Sequence, residues 1–463
     1  MAEHDVIDEH LEDDQGDAYG LDARTVRAIR EAAEAGDAAA LTALMEPLHP
    51  ADIADVLEQM DREPRDRLIA LYGHEFDGDI LSELEESVRE EVIATLAPDV
   101  LTDAVRELES DDVVDLIEDL DEAQRSEILD ALGAADRLAV EQALSFPEYS
   151  AGRLMQREVV TAPAHWTVGD AIDFMRAKED LPDQFYHIVL VDPRHQPVAY
   201  VTLGKVMSSR RDIALMDLAE PSFRTIPVTQ DEEDVAYAFN QYHLISAPVV
   251  DEDGRLVGVI TIDDAMAVLS EENEEDLLRL AGVGDESLSD RTLQIARQRF
   301  PWLFVNLLTA ILASIVIAQF EDVLAAIVAL AVLMPIVASM GGNAGTQSLT
   351  VAVRSLATRD LTGANALRVI RREITAGLIN GCIFAVIMGV VGVVWFGTPM
   401  LGIVLGAAMI INMVVAGLAG ILVPLTLEKV GVDPALASGA FVTTVTDIVG
   451  FFAFLGLAAL LLL

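Results

Sequence analysis

The sequence predicts a multidomain protein: an all-α helical-repeat domain, a small α/β domain built twice from one unit, and an all-α bundle of five membrane-spanning helices. Three observations predict it. Charge and hydropathy part company: 77 acidic against 30 basic residues give a formal charge of -47, yet 52% of the 463 residues are apolar and mean hydropathy is +0.37. Nine of the basic residues but only seven of the acidic ones lie from Arg291 onward, so the negative charge precedes a nearly neutral apolar half. Within the acidic half, helical periodicity gives way near residue 150 to strand and helix alternation that repeats once.

Residues 1–20, beginning MAEHDVIDEHLEDDQGD, read as a disordered acidic lead-in with little to bury. They lack the basic start and apolar stretch of a signal peptide, so membrane insertion is expected from later helices. Residues 21–145 carry a loose repeat, LHPADIADVLEQM, LAPDVLTDAVREL and LESDDVVDLIEDL. Each copy has Pro or Ser at a helix start, an acidic first turn and apolar residues at helical spacing, which predicts short stacked amphipathic helices.

Residues 151–269 hold the doubled unit. REVVTAPAHWTVGDAIDFM is echoed by FRTIPVTQDEEDVAYAF, and HIVLVDPRHQPVAYVTLGKVM by SAPVVDEDGRLVGVITIDDAM. Thr161 thus pairs with Thr225, Asp170 with Asp234, Asp192 with Asp251 and Thr202 with Thr261. Each copy reads as strand, helix, two strands joined by a turn, then helix. This segment resembles a tandem pair of CBS motifs, with VVDEDGRLVGVITIDDAM as the strongest match.

Residues 270–300 form a connecting helix that changes from acidic (EENEEDLLRL) to basic (RTLQIARQR). Apolar blocks follow at 302–320, 323–340, 374–396, 401–427 and 436–462 in the membrane domain, residues 301–463. All approach or exceed the ~20 residues that a bilayer crossing needs. Arg297 and Arg299 precede the first block, and Arg354, Arg359, Arg368, Arg371 and Arg372 follow the second, whereas Glu321 and Asp322 lie between them. The positive-inside rule then puts the acidic half in the cytoplasm and, after five crossings, the C-terminus outside the inner (plasma) membrane.

Asp447, in FVTTVTDIVGFF, is the only ionisable residue of the fifth block. A carboxylate at membrane depth is costly and normally faces a partner, a cavity or an ion path. Thr443 and Thr444 lie one turn earlier on its helical face, so the favoured reading is an ion site; the bland one is a protonated Asp hydrogen-bonded between helices. In MPIVASMGGNAGTQSLTVAVRSL, Gly341, Gly342 and Gly345 permit either close helix packing or a break that exposes carbonyls, with Asn343 as a neutral polar head. Pro424 is either a kink without a role or a pore-shaping break. On the acidic side, Asp111 and Asp115 sit four apart on one helix face.

The motifs GGNAGTQS, RSLATRDL and VDPALASG, in this order behind an acidic helical domain and a CBS pair, closely resemble the MgtE family of magnesium channels over nearly the whole chain. The resemblance implies a homodimeric channel with Mg2+ as substrate, crossing the lipid bilayer between the two membrane halves. It matches Asp447 to the pore aspartate, Asn343 and Pro424 to pore-lining positions, and Asp433 to an acidic residue at the cytoplasmic mouth. It further implies that regulatory Mg2+ bridges carboxylates here numbered Asp231, Glu233, Asp264, Glu272, Glu275 and Asp276, with Asp111 and Asp115, and holds the pore shut. The chemistry agrees, because Mg2+ keeps several waters and is held through one or two carboxylates. Co2+ and Ni2+, of similar hydrated size, are expected to leak through such a site.

The chain also departs from the family pattern. Gly204-Lys205 stands where nucleotide-binding CBS pairs carry Arg-Asp, and His187 where a tyrosine is expected, so the pattern argues against ATP in the CBS cleft. His243 and Ala267 replace residues that are acidic in some relatives, and Gly439 an Asn near the pore. With only three lysines, part of the acidic surface reads as solvation rather than sensing. The acidic balance argues against nucleic acid as partner. The single cysteine, Cys382, excludes an intrachain disulfide, and no nucleotide-hydrolysis motif or catalytic group supports an enzyme. The rival readings are a transporter of another divalent cation (Co2+, Ni2+) on the same fold and a non-conducting CBS membrane sensor.

Overall fold

The computed structural model describes residues 21–118, 120, 122–178, 181, 182, 184–283 and 292–463, and divides into two compact units, one up to Leu269 and one from Ser270. The lead-in 1–20 and part of the connector, residues 284–291, lie outside the described residues.

The first unit opens with short helices: α1 (Ala23–Ala35), α2 (Ala38–Met45), α3 (Pro50–Glu58), α4 (Arg62–Tyr72), α5 (Asp79–Ser82), α6 (Glu86–Thr95), α7 (Pro98–Glu107), α8 (Ser110–Glu118), α9 (Glu122–Ala131) and α10 (Ala134–Ala143). The repeat read from sequence falls on α3, α7 and α8. Pro50 and Pro98 occupy the first helical turn, where the missing N–H costs nothing. Before α3, His49 and Asp52 exchange backbone hydrogen bonds as a reciprocal cap. The apolar stripes meet in one core that includes Ile29, Leu57, Leu68, Ile80, Val105, Ile117 and Val140.

After α11 (Ala151–Leu154) comes the doubled unit. Its first copy is β1 (Thr161–Pro163), α12 (Val168–Ala177), β2 (His187–Val191), β3 (Pro197–Thr202) and α13 (Leu203–Ser208). The second is β4 (Ile226–Pro227), α14 (Glu232–Tyr242), β5 (Ser246–Val250), β6 (Leu256–Thr261) and α15 (Ile262–Leu280). Each copy makes a three-stranded sheet in which the first strand pairs parallel and the hairpin antiparallel, over its own apolar core. The repeat reaches atomic detail. Asp192 Oδ1 accepts the N–H groups of Arg194 and Gln196, and Asp251 Oδ1 those of Asp253 and Arg255, so one turn chemistry closes both hairpins. His187 Nδ1 and Ser246 Oγ, the opening residues of equivalent strands, lie 2.5 Å apart and tie the copies together.

The second unit holds α16 (Thr292–Ala318), α17 (Glu321–Ala326), α18 (Ala329–Ala357), α19 (Ala366–Phe396), α20 (Pro399–Val430) and α21 (Pro434–Leu461). Five of these, all but α17, are long and apolar enough to cross a membrane. Helix α20 is the most enclosed and α16 the most exposed. The multidomain fold class thus stands, with two differences in detail. The second crossing is α18, not a block starting at 323, since Val323–Ala326 belongs to the separate helix α17. The glycine motif lies inside α18 without breaking it, and Pro424 lies inside a continuous α20.

Candidate ion path and cation-binding carboxylates

In the second unit, glycines let helix backbones meet. A Cβ on Gly345 would stand 2.6 Å from Val442 Cγ1 of α21, and one on Gly420 2.7 Å from Ser348 Cβ and 2.8 Å from the Gly345 oxygen. The motif therefore packs helices closely within a continuous helix, which decides between the two readings of these glycines in favour of close packing. Beside these contacts, a Cβ on Gly342 would lie 3.9 Å from Thr443 Cγ2, so the turn of α18 that bears Asn343 runs along the turn of α21 that precedes Asp447. Asn343 is exposed, and Asp447 and Thr443 are half-buried. Asp447 makes no hydrogen bond or ion pair with a described residue. Thr443 Oγ1 donates to the carbonyls of Gly439 and Ala440, and Thr444 Oγ1 to that of Ala440, which leaves each hydroxyl oxygen its acceptor capacity. Pro424 is buried within the single chain rather than lining its surface.

Two polar groups, one buried and one partly buried, escaped the sequence reading. Asn412, an amide in the apolar run AMIINMVVAG of α20, is 1% exposed. Its Nδ2 donates to the Val337 carbonyl of α18 at 2.8 Å, and its Oδ1 has no partner among the described residues. Glu373, in the early turns of α19, accepts from Ser348 Oγ at 2.9 Å and lies 3.3 Å from Arg372. The signal for Glu373 was a helix that starts at Ala366, two turns before the apolar block.

Asp433 caps the start of α21, accepting from the Ala435 N–H at 2.7 Å. It also accepts from Arg279 Nη1 at 2.9 Å, and the same guanidinium pairs with Glu275 one turn earlier on α15. Glu272, Glu275, Asp276 and Arg279 share one half-buried face of α15, and the neighbouring Leu280 packs against Leu349, Val353, Ala435 and Val442.

In the first unit Asp111 and Asp115, four apart on α8, have different neighbours. Asp115 pairs with Arg89 of α6, whereas Asp111 is buried against Asp264 of α15. Burial, then the neighbouring Asp264, Asp112 and Glu109, hold Asp111 well above the usual carboxylate range. The same causes push Asp112 up to about 7 (burial, Asp264, Glu109) and Glu109 up to about 7 (burial, Glu158, Asp264). Asp264 is also raised by burial, partly offset by hydrogen bonds from Thr261. Glu109 and Asp112 are additions to the sequence-derived set, flanking Asp111 in the LESDD segment. Asp231 caps α14 through the Glu233 N–H, and both side chains are exposed there.

Among the described residues no three His, Cys, Asp or Glu side chains converge to hold a bare metal ion. The arrangement instead offers carboxylate pairs, strained by mutual repulsion and desolvation, that a hydrated divalent cation would relieve. In the CBS pair, His187 packs on Tyr200 with ring centroids 4.4 Å apart, and Lys205 pairs with Glu220 at 2.8 Å. Both residues are thus engaged within the protein.

Comparison with known proteins places residues 334–457 in a family model described as a divalent cation transporter, 48–149 in an MgtE intracellular N domain, and 151–212 and 215–271 in CBS domains. The chain is 31% identical over 326 residues to the magnesium transporter MgtE of Bacillus subtilis, covering 70% of this chain and 72% of that one. Against the magnesium transporter MgtE of Thermus thermophilus it is 34% identical over 331 residues, covering 70% and 73%. A solved cytosolic domain of the Mg2+ channel MgtE in complex with ATP matches with 28% identity and a TM-score of 0.49, over 52% of this chain and 99% of that one.

Proposed function

Because the chain belongs to the MgtE family of divalent cation transporters, we propose that it carries Mg2+ into the cytoplasm through a homodimeric channel in the inner membrane. The observation that carries this reading is Asp447: a half-buried carboxylate on a helix long and apolar enough to cross a membrane, without a partner among the described residues and beside the Asn343 turn of α18. Two copies of Asp447 about a dimer axis would hold a hydrated Mg2+ through its water shell, strongly enough to select it and weakly enough to release it. Asn343 and the Thr443 hydroxyl would accept from the same waters. Pro424 would act from inside α20, by shaping the helix that supports the path. Conduction would follow the electrochemical gradient, and the acidic domains and the connecting helix would face the cytoplasm.

Gating by cytoplasmic Mg2+ belongs to the same proposal. The pair Asp111 and Asp264, the α15 face with Glu272, Glu275 and Asp276, the α14 start with Asp231 and Glu233, and Asp433 are the groups that would bind it. Shifting a gate from 1:99 to 99:1 requires about 5.5 kcal/mol of differential binding. Four sites with roughly tenfold preference, about 1.4 kcal/mol each, would supply that and make closure steep.

The test is Mg2+ flux into proteoliposomes for wild type and Asp447→Ala, with Mg2+ titrated on the cytoplasmic face. Flux that needs Asp447 and shuts steeply is expected. Flux without inhibition would retain the channel and reassign the acidic half to solvation. Folded protein that passes no divalent ion at low Mg2+ would sink the transport reading in favour of a membrane sensor.

A further inference from the structure

We propose that Asn412 is a positioning residue for the ion path: its side-chain amide ties α18 to α20 and fixes α18 against α21 at the turns that bear Asn343 and Asp447. The inference rests on the transport reading for its consequence, but its geometry stands apart from it. Asn412 occupies a point where three helices meet. On one side is Gly341 of α18, where a Cβ would come within 2.2 Å of Asn412 Nδ2. On the other is Gly450 of α21, where a Cβ would come within 2.8 Å of the same atom. Both positions lack a side chain where the amide inserts. Gly341 lies two residues before Asn343, and Gly450 lies three residues after Asp447. The amide is therefore gripped between the two helices that carry the candidate path, next to the turns that matter.

Packing alone does not account for an amide here. Asn412 is 1% exposed, and only one end of it is used: Nδ2 donates to the Val337 carbonyl at 2.8 Å, while Oδ1 has no partner among the described residues. A leucine of similar size would fill the space without burying an unpaired acceptor. What leucine lacks is the directional bond to α18, and in an apolar surrounding such interhelical bonds hold helix register. Five residues beyond Asn343, Ser348 donates to Glu373 of α19, so α18 is fastened on both sides of its Asn343 turn. With both fastenings made, the α18 and α21 turns can meet in one axial register only, which is what a path selective for one hydrated ion needs.

The experiment compares Asn412→Leu and Asn412→Ala with wild type by two readouts. The first is cross-linking between cysteines placed at Gly342 and Thr443, adjacent across α18 and α21, in a Cys382→Ser background; it reads register without needing transport. The second is the ratio of Co2+ to Mg2+ flux in proteoliposomes, per folded dimer. Both variants are expected to slow cross-linking and shift the flux ratio by about three- to tenfold, the range that one membrane-buried hydrogen bond supports. Wild-type cross-linking and selectivity in Asn412→Leu, with loss only in Asn412→Ala, would overturn the proposal and reduce Asn412 to a space filler. A shifted flux ratio with unchanged cross-linking would overturn it too. Slowed cross-linking in protein whose wild type passes no ion would support the tie and sink the transport reading instead.

Discussion

Replacing Arg279 with glutamine tests how the connecting helix grips the membrane unit. Arg279 holds Asp433 at 2.9 Å and Glu275 with the same guanidinium, so one fixed positive charge fastens the last turn of α15 to the cap of α21. Side-chain exposures of 27% for Arg279 and Glu275 and 32% for Asp433 place this cluster between a surface pair and a buried one. The tie is therefore worth about 1–2 kcal/mol, below a fully buried charged hydrogen bond and above a surface ion pair. Spread over about four cooperatively bound ions, that loss raises the Mg2+ concentration for half-closure only about 1.5- to 2.5-fold. The assay is proteoliposome flux against cytoplasmic-side Mg2+, with Arg279→Lys, which keeps the charge but not the fork, expected in between. An unchanged threshold would refute the tie. A lowered threshold would refute it differently, because the guanidinium would then be competing with Mg2+ for Glu275 and Asp433.

Three further outcomes follow from the carboxylates and the glycines. Glu109 and Asp112 are pushed up to about 7 from ordinary values of 4.5 and 3.8, so the metal-free folded state binds more protons than the unfolded one between those limits. The stability that these two protonated carboxyls contribute is thus fully present at acid pH and lost as pH rises through about 7, whereas stabilisation by Mg2+ is expected to grow over the same window; melting temperatures in chelator and in Mg2+ at pH 5 and pH 8 read both trends. Asp111→Asn should raise the chelator melting point at pH 8 and shrink the gain from Mg2+, and a lower chelator melting point would show that the carboxylate stabilises the unit. Gly420→Ala would drive a methyl to 2.7 Å from Ser348 Cβ and should destabilise the purified protein by about 1–3 kcal/mol in thermal melts.

The sequence was most legible where periodicity and chemistry coincide. The repeat register placed Asp192 with Asp251, and those two residues close their hairpins with the same pair of hydrogen bonds. The apolar blocks predicted five crossings, though the second begins at Ala329, because Val323–Ala326 turns in a separate short helix after Glu321 and Asp322. Spacing says nothing of tertiary partners. Asp111 and Asp115 do share a helix face, but Arg89 arrives from α6 to take one and Asp264 from α15 to crowd the other. Glycines 341, 342 and 345 were read as either a break or a close approach, and only the helices opposite them distinguish the two. Asn412 was overlooked because one amide does not end an apolar run of this length, although a polar amide at such a position is itself a sign of an interhelical hydrogen bond.

Asp433 caps the helix that carries Asp447, fourteen residues further on, which at 1.5 Å per residue is about 21 Å. Arg279 holds that helix at its cap, and Asn412 grips it at Gly450, one turn beyond Asp447. A helix held at two points moves as a lever about the tighter one. Displacement of α15 from Asp433 would then swing the Asp447 turn only while the grip at Gly450 persists, and without it α21 would slide instead. Removing the two ties should therefore be non-additive, although groups more than 7–10 Å apart usually act independently. A double-mutant cycle of Arg279→Gln and Asn412→Leu, read as the Mg2+ concentration for half-closure, is expected to give a coupling of at least about 0.5 kcal/mol. Strict additivity would mean that α21 bends between its two ends, and that the cap and the carboxylate answer to separate controls.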